Sequence, residues 1–249
     1  MRSLAWQNPS PNLVLLDDEI HLWRANLNLS SQGLELLAKI LSEAEQLRAN
    51  RFRFEIHRQR FIAARGILRQ LLSIYLPTSA AKIEFSYNQQ GKPLLAAFHS
   101  NSSLQFNISH SQDLALYSFS YHQEIGIDLE YLRNNIDYKN IAQRFFCERE
   151  YNLIINCEPQ KQQERFYQFW TAKEAYLKAI GEGLGGGLKT LEIDLDQAGN
   201  IYLYNINNKA QLVDDWSLYN FIPEKDFIAT IALSGKKKTL IPINYVQEL

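Results

Sequence analysis

Cysteine is scarce in this chain of 249 residues: Cys147 and Cys157 are the only two. Their spacing forms neither a metal-ligand motif nor a disulfide framework, so both are expected as reduced thiols. No apolar run approaches the ~18 residues of a membrane span. The N-terminal MRSLAWQNPS also lacks the apolar segment of a secretory signal. A soluble, cytoplasmic protein with no membrane partner is expected. An excess of one charge is missing too: 26 Lys and Arg against 27 Asp and Glu give a formal net charge of −1. No global basic field exists to hold nucleic acid, and no nucleic-acid partner is expected. The phosphate-cradling GxxxxGK[ST] pattern is absent. Gly181, Gly183 and Gly186 do show GxGxxG spacing, but they follow a predicted helix. A dinucleotide fingerprint must follow a strand and open a helix, so that reading is excluded and Gly181 reads as a helix stop.

Apolar residues are plentiful, at 46% hydrophobic and 12% aromatic, enough for one large core or two smaller ones. Residues 12–29 alternate in part, as a strand or hairpin does, and 30–50 look helical. Within that helical stretch Ser42 and Glu45 have capping-box spacing, which allows a break there. A longer helix is predicted over 55–76, stopped by Pro77. Short alternating runs follow at 82–87, 93–98, 104–108 and 113–120. The second half repeats the order loosely. Helices are predicted at 138–155 and 163–180, then strands at 191–195, 201–206, 216–221 and 227–233. Two similar α+β halves are therefore expected, residues 1–121 and 122–249.

Charged residues in unusual places carry the chemistry. In GIDLE (126–130), Ile127 and Leu129 alternate with Asp128 and Glu130, so the strand has an apolar face and a carboxylate face. In FWTAKEAYLK (169–178), Glu174 and Lys178 lie four apart and hence on one helix face. Three carboxylates and a lysine converging on one point would hold a hard divalent cation and a phosphate. Lys173 falls inside the arc of Phe166, Phe169, Trp170, Leu177 and Ile180, where a lysine must snorkel or pair with a buried anion. Arg60 projects beside Ile67 and Leu71 and needs a partner, for which a buried phosphate would serve. His110, flanked by Ser109 and Ser111, ends a predicted strand. It reads either as a structural histidine or as part of a donor cluster for an anion.

GKP (91–93), FNISHS (106–111), GIDLE (126–130), RFF…EY (144–151) and FWTAKEAYLKAIGEGL (169–184) stand in an order and spacing that resemble the 4′-phosphopantetheinyl transferases. The likeness is to their larger, surfactin-synthetase-activating (Sfp) type, over roughly residues 48–235. It implies an α+β fold of two pseudo-symmetric halves, each with helices packed on a mainly antiparallel sheet and the active site in the cleft between. It implies transfer of the 4′-phosphopantetheine arm of coenzyme A to a serine of an apo acyl or peptidyl carrier protein. Magnesium (Mg2+) is the implied cofactor and a monomer the implied state. By position, Asp128, Glu130 and Glu174 match the metal ligands, and Glu174 the group that takes the serine proton. Lys178 matches the lysine on the pyrophosphate. Arg60 matches an arginine on the 3′-phosphate, with His110 and Ser109 in the same anion pocket. Lys92 and Pro93 match a segment lining the adenine, and Lys173 fits the motif as a further coenzyme contact. Arg48, Arg51 and Arg53 align only loosely, and the stretch Asn134–Ile155 is the expected carrier-docking region. Leu129 stands where isoleucine is common, and Gln112 where some members have glycine. The alternative reading is a non-catalytic module that binds coenzyme A or a carrier protein. A third, a magnesium-dependent phosphohydrolase, leaves GKP and FNISHS without a purpose.

Overall fold

The computed structural model describes residues 1–96, 103–133, 135–183, 187–207 and 210–246. Asn134, Gly186 and the 97–98 end of the predicted 93–98 strand lie outside them. In the first half, β1 (Arg2–Ser3) and β2 (Glu19–Asn26) precede helices α1 (Ser31–Lys39), α2 (Glu43–Ala49) and α3 (Glu55–Tyr75). Strands β3 (Phe85–Tyr87), β4 (Pro93–Leu95), β5 (Leu104–Ser111) and β6 (Leu114–Tyr121) follow. The second half begins with β7 (Ile125–Tyr131), then α4 (Tyr138–Phe145), α5 (Glu148–Ile155) and α6 (Gln162–Ile180). It ends with β8 (Leu191–Leu195), β9 (Ile201–Ile206), β10 (Trp216–Ile222), β11 (Phe227–Ser234) and β12 (Thr239–Asn244). No helix among the described residues is long and apolar enough to cross a membrane.

Local chemistry sets the breaks. The Ser42–Glu45 capping box forms, so one predicted helix becomes α1 and α2. The single helix predicted over 138–155 also divides. Phe146 is extended and buried, and Glu150 reaches back to the Cys147 N–H (2.9 Å) to restart the chain as α5. Leu76, before Pro77, takes the extended conformation that a following proline imposes, and α3 stops.

Two four-stranded sheets form the centre, in the orders β12-β2-β6-β5 and β1-β10-β11-β7. Each takes one parallel strand from across the 121/122 boundary: β1 pairs with β10, and β12 with β2. The sheets pack face to face through Ile20, Leu22 and Leu116 on one side and Ile127, Leu129 and Ile231 on the other. The outer face of the first sheet, with Trp23, Tyr117 and Phe119, is covered by Ile67, Leu68 and Leu71 of α3. On the outer face of the second, Ile228 and Ala232 pack with Phe169 and Ala172 of α6. The result is an α+β molecule of helix, sheet, sheet and helix layers. Helix α6 differs from the amphipathic surface helix that its arc suggests. It is buried on nearly every side, because α4, α5 and β8 close over the face that turns away from the sheet.

Candidate active site

Strand β7 points Ile127 and Leu129 into the core between the sheets, and Asp128 and Glu130 toward α6, as the alternation requires. The helix can come this close because of Gly126. A Cβ there would lie 2.0 Å from the Ala175 carbonyl oxygen and 2.4 Å from the Ala179 nitrogen. Both are backbone atoms of α6, so no rotamer change relieves the clash. Gly126→Ala is expected to lower the melting temperature by about 5 °C or more and to cost most of the activity, because overpacking displaces α6. A variant that melts and works like wild type would show that strand and helix do not meet as described.

Ser109 of β5 joins the cluster. Lys178 Nζ donates to Asp128 Oδ1 (2.6 Å) and to Ser109 Oγ (3.0 Å), and Ser109 Oγ donates to Asp128 Oδ1 (3.2 Å). Asp128 Oδ2 and Glu174 Oε1 are buried without a hydrogen-bond partner among the described residues. Burial, and then the charge of Asp128, push both the Glu130 and the Glu174 carboxyl up to about 7, while Lys178 pulls the other way. The carboxylates thus feel one another strongly. They do not converge as tightly as the sequence suggests, since no three Asp, Glu, His or Cys among the described residues form a ready metal cage. Lys178 is the cation that Asp128 meets.

His110 and Arg60 lie next to this cluster. Burial first, then the charges of Lys178 and Arg60, hold the His110 ring below its ordinary pKa. Arg60 finds a protein partner, Asp113 Oδ1 at 2.8 Å, instead of standing alone among apolar neighbours. Lys92 crosses to the other half and donates to the Ala179 carbonyl near the C-terminus of α6 (2.8 Å). Asn88, in the same turn, donates to the Gly181 carbonyl (2.7 Å). Gly181 itself has the positive φ of 75° that a helix stop needs. Pro93 opens β4 opposite Tyr87. Beside this turn is a cavity of about 910 Å³, lined by Arg48, Arg51, Phe85, Tyr87 and Gly91 among others. Arg53 stands apart over the Phe54 ring.

Lys173 requires a correction. It was expected to touch the coenzyme, yet it is fully buried and pairs with Glu150 Oε2 at 2.8 Å. It also donates to the Leu188 carbonyl (2.5 Å) and to the Leu191 carbonyl. Two positions on from Lys173 around α6 stands Ala175, which meets Gly126, so the lysine faces away from the carboxylates.

Asn107 escaped the sequence reading, and Ser111 entered it only as a flank of His110 in a donor cluster for an anion, not as a contact of β7. Asn107 Oδ1 accepts from the Ile127 N–H (3.0 Å), Ser109 Oγ from Leu129 N–H (3.2 Å), and Ser111 Oγ from Tyr131 N–H (3.1 Å). The available signal was a run of polar side chains at every second position of an otherwise apolar strand.

A family model described as the 4′-phosphopantetheinyl transferase superfamily matches residues 124–232. A second, described as 4′-phosphopantetheinyl transferase, N-terminal, matches residues 25–120. The 4′-phosphopantetheinyl transferase HetI of Nostoc sp. is 44% identical over 92% of this chain and 94% of its own. The 4′-phosphopantetheinyl transferase Sfp of Bacillus subtilis is 28% identical over 70% of this chain and 75% of its own. Among solved structures, holo-acyl-carrier-protein synthase from Neisseria meningitidis aligns with a TM-score of 0.38 at 21% identity, over 45% of this chain and 98% of that one.

Proposed function

The chain belongs to the 4′-phosphopantetheinyl transferase superfamily, and we propose that it moves the 4′-phosphopantetheine arm of coenzyme A onto a serine of an apo acyl or peptidyl carrier protein. The observation that carries this reading is the Lys178–Asp128–Ser109 cluster, with two carboxylate oxygens unpaired among the described residues, beside His110 and Arg60. A pyrophosphate needs both sides. Cations hold its oxygens, and a carboxylate accepts the proton that the attacking hydroxyl gives up.

In the proposed step the serine Oγ forms a bond to the phosphorus that bears the pantetheine arm. The bridging P–O bond breaks, and its electron pair leaves with adenosine 3′,5′-bisphosphate. Glu174 takes the serine proton, directly or through water. A carboxyl poised near neutral pH suits that exchange. Lys178 offsets charge on the departing phosphate, and Arg60 and His110 hold the 3′-phosphate. Lys92 and Pro93 shape the turn that receives the adenine.

Asp128, Glu130 and Glu174 would hold Mg2+. Their hard oxygen donors, the orphaned Asp128 Oδ2 and Glu174 Oε1, and the repulsion between Asp128 and its two neighbours fit a divalent cation. Bound there, the ion would neutralise pyrophosphate oxygens that the lysine alone cannot.

The test is intact mass after incubation with coenzyme A, Mg2+ and an apo carrier protein. A gain of about 340 Da on the carrier, the mass of the arm, supports transfer. Binding of either ligand with no mass gain would favour the binding-module reading. Arg60→Ala is expected to raise the KM for coenzyme A about ten- to a hundredfold, the worth of one charge-assisted contact, and that for the carrier far less. The sharper measurement uses 3′-dephospho-coenzyme A. If the variant still discriminates against it as wild type does, Arg60 does not read the 3′-phosphate.

A further inference from the structure

β5 and β7 are the terminal strands of their sheets, and each has one edge without a strand partner among the described residues. The outward N–H groups of such an edge must be satisfied by something. On β7 the Ile127, Leu129 and Tyr131 N–H groups are taken by side chains of β5: Asn107, Ser109 and Ser111. Every rung spans the same sequence offset of 20, so the two strands run parallel in a fixed register. A side chain in each rung also keeps the backbones farther apart than a direct ladder, whose strands lie about 4.8 Å apart.

Residues between the rungs are those assigned to the reaction. His110 lies between the Ser109 and Ser111 rungs, while Asp128 and Glu130 lie between the three β7 positions whose N–H groups donate to the rung side chains. A slip of one rung would move Ser109 away from Asp128 and Lys178, and His110 away from Lys178. Asn107 and Ser111 are both buried, and their only side-chain hydrogen bonds among the described residues go to β7 backbone. Neither is bonded to the carboxylates or to Lys178.

We propose that Asn107 and Ser111 are positioning residues for the transfer: the outer rungs of a side-chain rail that sets the register between the nucleotide-holding half and the carboxylate half. This rests on the proposed function, and wild-type transfer of the arm is the control that tests that reading separately.

The experiment compares Asn107→Ala, Ser111→Ala and their combination with the conservative Asn107→Asp and Ser111→Thr, which keep an acceptor oxygen. Three quantities are measured on the full chain: kcat, the Mg2+ concentration giving half-maximal rate, and the affinity for adenosine 3′,5′-bisphosphate. In the proposed assignment its adenine and 3′-phosphate engage the nucleotide half, and only its 5′-phosphate meets Lys178. The double alanine variant is expected to lose about ten- to a hundredfold in kcat, as small misplacements do. It should need more Mg2+ and bind adenosine 3′,5′-bisphosphate as wild type does. Ser111→Thr should recover most of the rate. A simple loss of folded protein would lower the rate and the number of nucleotide sites together, with no change in the Mg2+ requirement and no rescue, and that result would overturn the proposal. So would wild-type kcat in the double variant. Should the double variant fail to fold, Ser111→Ala against Ser111→Thr carries the same comparison.

Discussion

Glu174→Gln is expected to cut transfer by at least about a hundredfold, the typical worth of a positioned base, and yet to make the ligand-free protein harder to melt at pH 8. The Glu174 carboxyl is raised from its ordinary 4.5 to about 7, first by burial, then by Asp128, with Glu130 adding to it and Lys178 opposing. Below pH 4.5 folded and unfolded chains both hold this proton. Between 4.5 and about 7 the folded chain keeps a proton that the unfolded chain has released, so stability falls as pH rises through that window. Above it the full cost remains. Glutamine has the same shape and never ionises, so the variant should gain a few degrees at pH 8 and nothing at pH 4. Glu130→Gln should behave alike, since its carboxyl is raised in the same direction and for the same leading reason. Melting curves at the two pH values check the sign. If the assignment of these carboxylates to Mg2+ holds, the ion raises the wild-type melting temperature at pH 8 more than that of either variant. Equal melting of wild type and Glu174→Gln at both pH values, with transfer intact, would remove Glu174 from the site.

Much of this site could be read from one-dimensional periodicity, because its carboxylates sit on regular elements. Ile127 and Leu129 had to be buried together, which fixed the direction of Asp128 and Glu130. The i,i+4 spacing likewise placed Glu174 and Lys178 on one side of α6, and both act on the Asp128 region. Long-range partners were beyond such reasoning. Asp113, which occupies Arg60, comes from the turn between β5 and β6, 53 positions away. β12 was not predicted, and Pro242 within it argues against a strand. The proline is tolerated because β12 is the last strand of its sheet, paired on one side only. β1 has two residues and no periodicity to detect. The exchange of terminal strands across the 121/122 boundary was therefore invisible, although it ties the two halves together.

Lys173→Met tests the one site residue that the geometry moves elsewhere. The helical arc required this lysine either to snorkel or to meet a buried anion, and it meets Glu150, with both side chains fully buried. Glu150 Oε1 accepts from the Ile193 N–H (2.8 Å), and Oε2 from the Cys147 N–H (2.9 Å). One carboxylate and one ammonium therefore bind α5, α6 and β8 into a single block. Methionine fills similar volume but leaves Glu150 charged, desolvated and without its counter-ion. Breaking a buried pair from one side costs about 3–5 kcal/mol, which for a chain of this size is roughly 10 °C in melting temperature. Adding Glu150→Gln should restore only part, because the amide removes the charge but keeps a single oxygen for two backbone donors. Folded Lys173→Met should still bind coenzyme A, since its Nζ faces away from Asp128 and Glu174. A variant that melts like wild type but no longer binds coenzyme A would reverse this assignment and return Lys173 to the ligand. Melting early with binding preserved would make it a pillar of α6, tying the helix that carries Glu174 and Lys178 to α5 and β8.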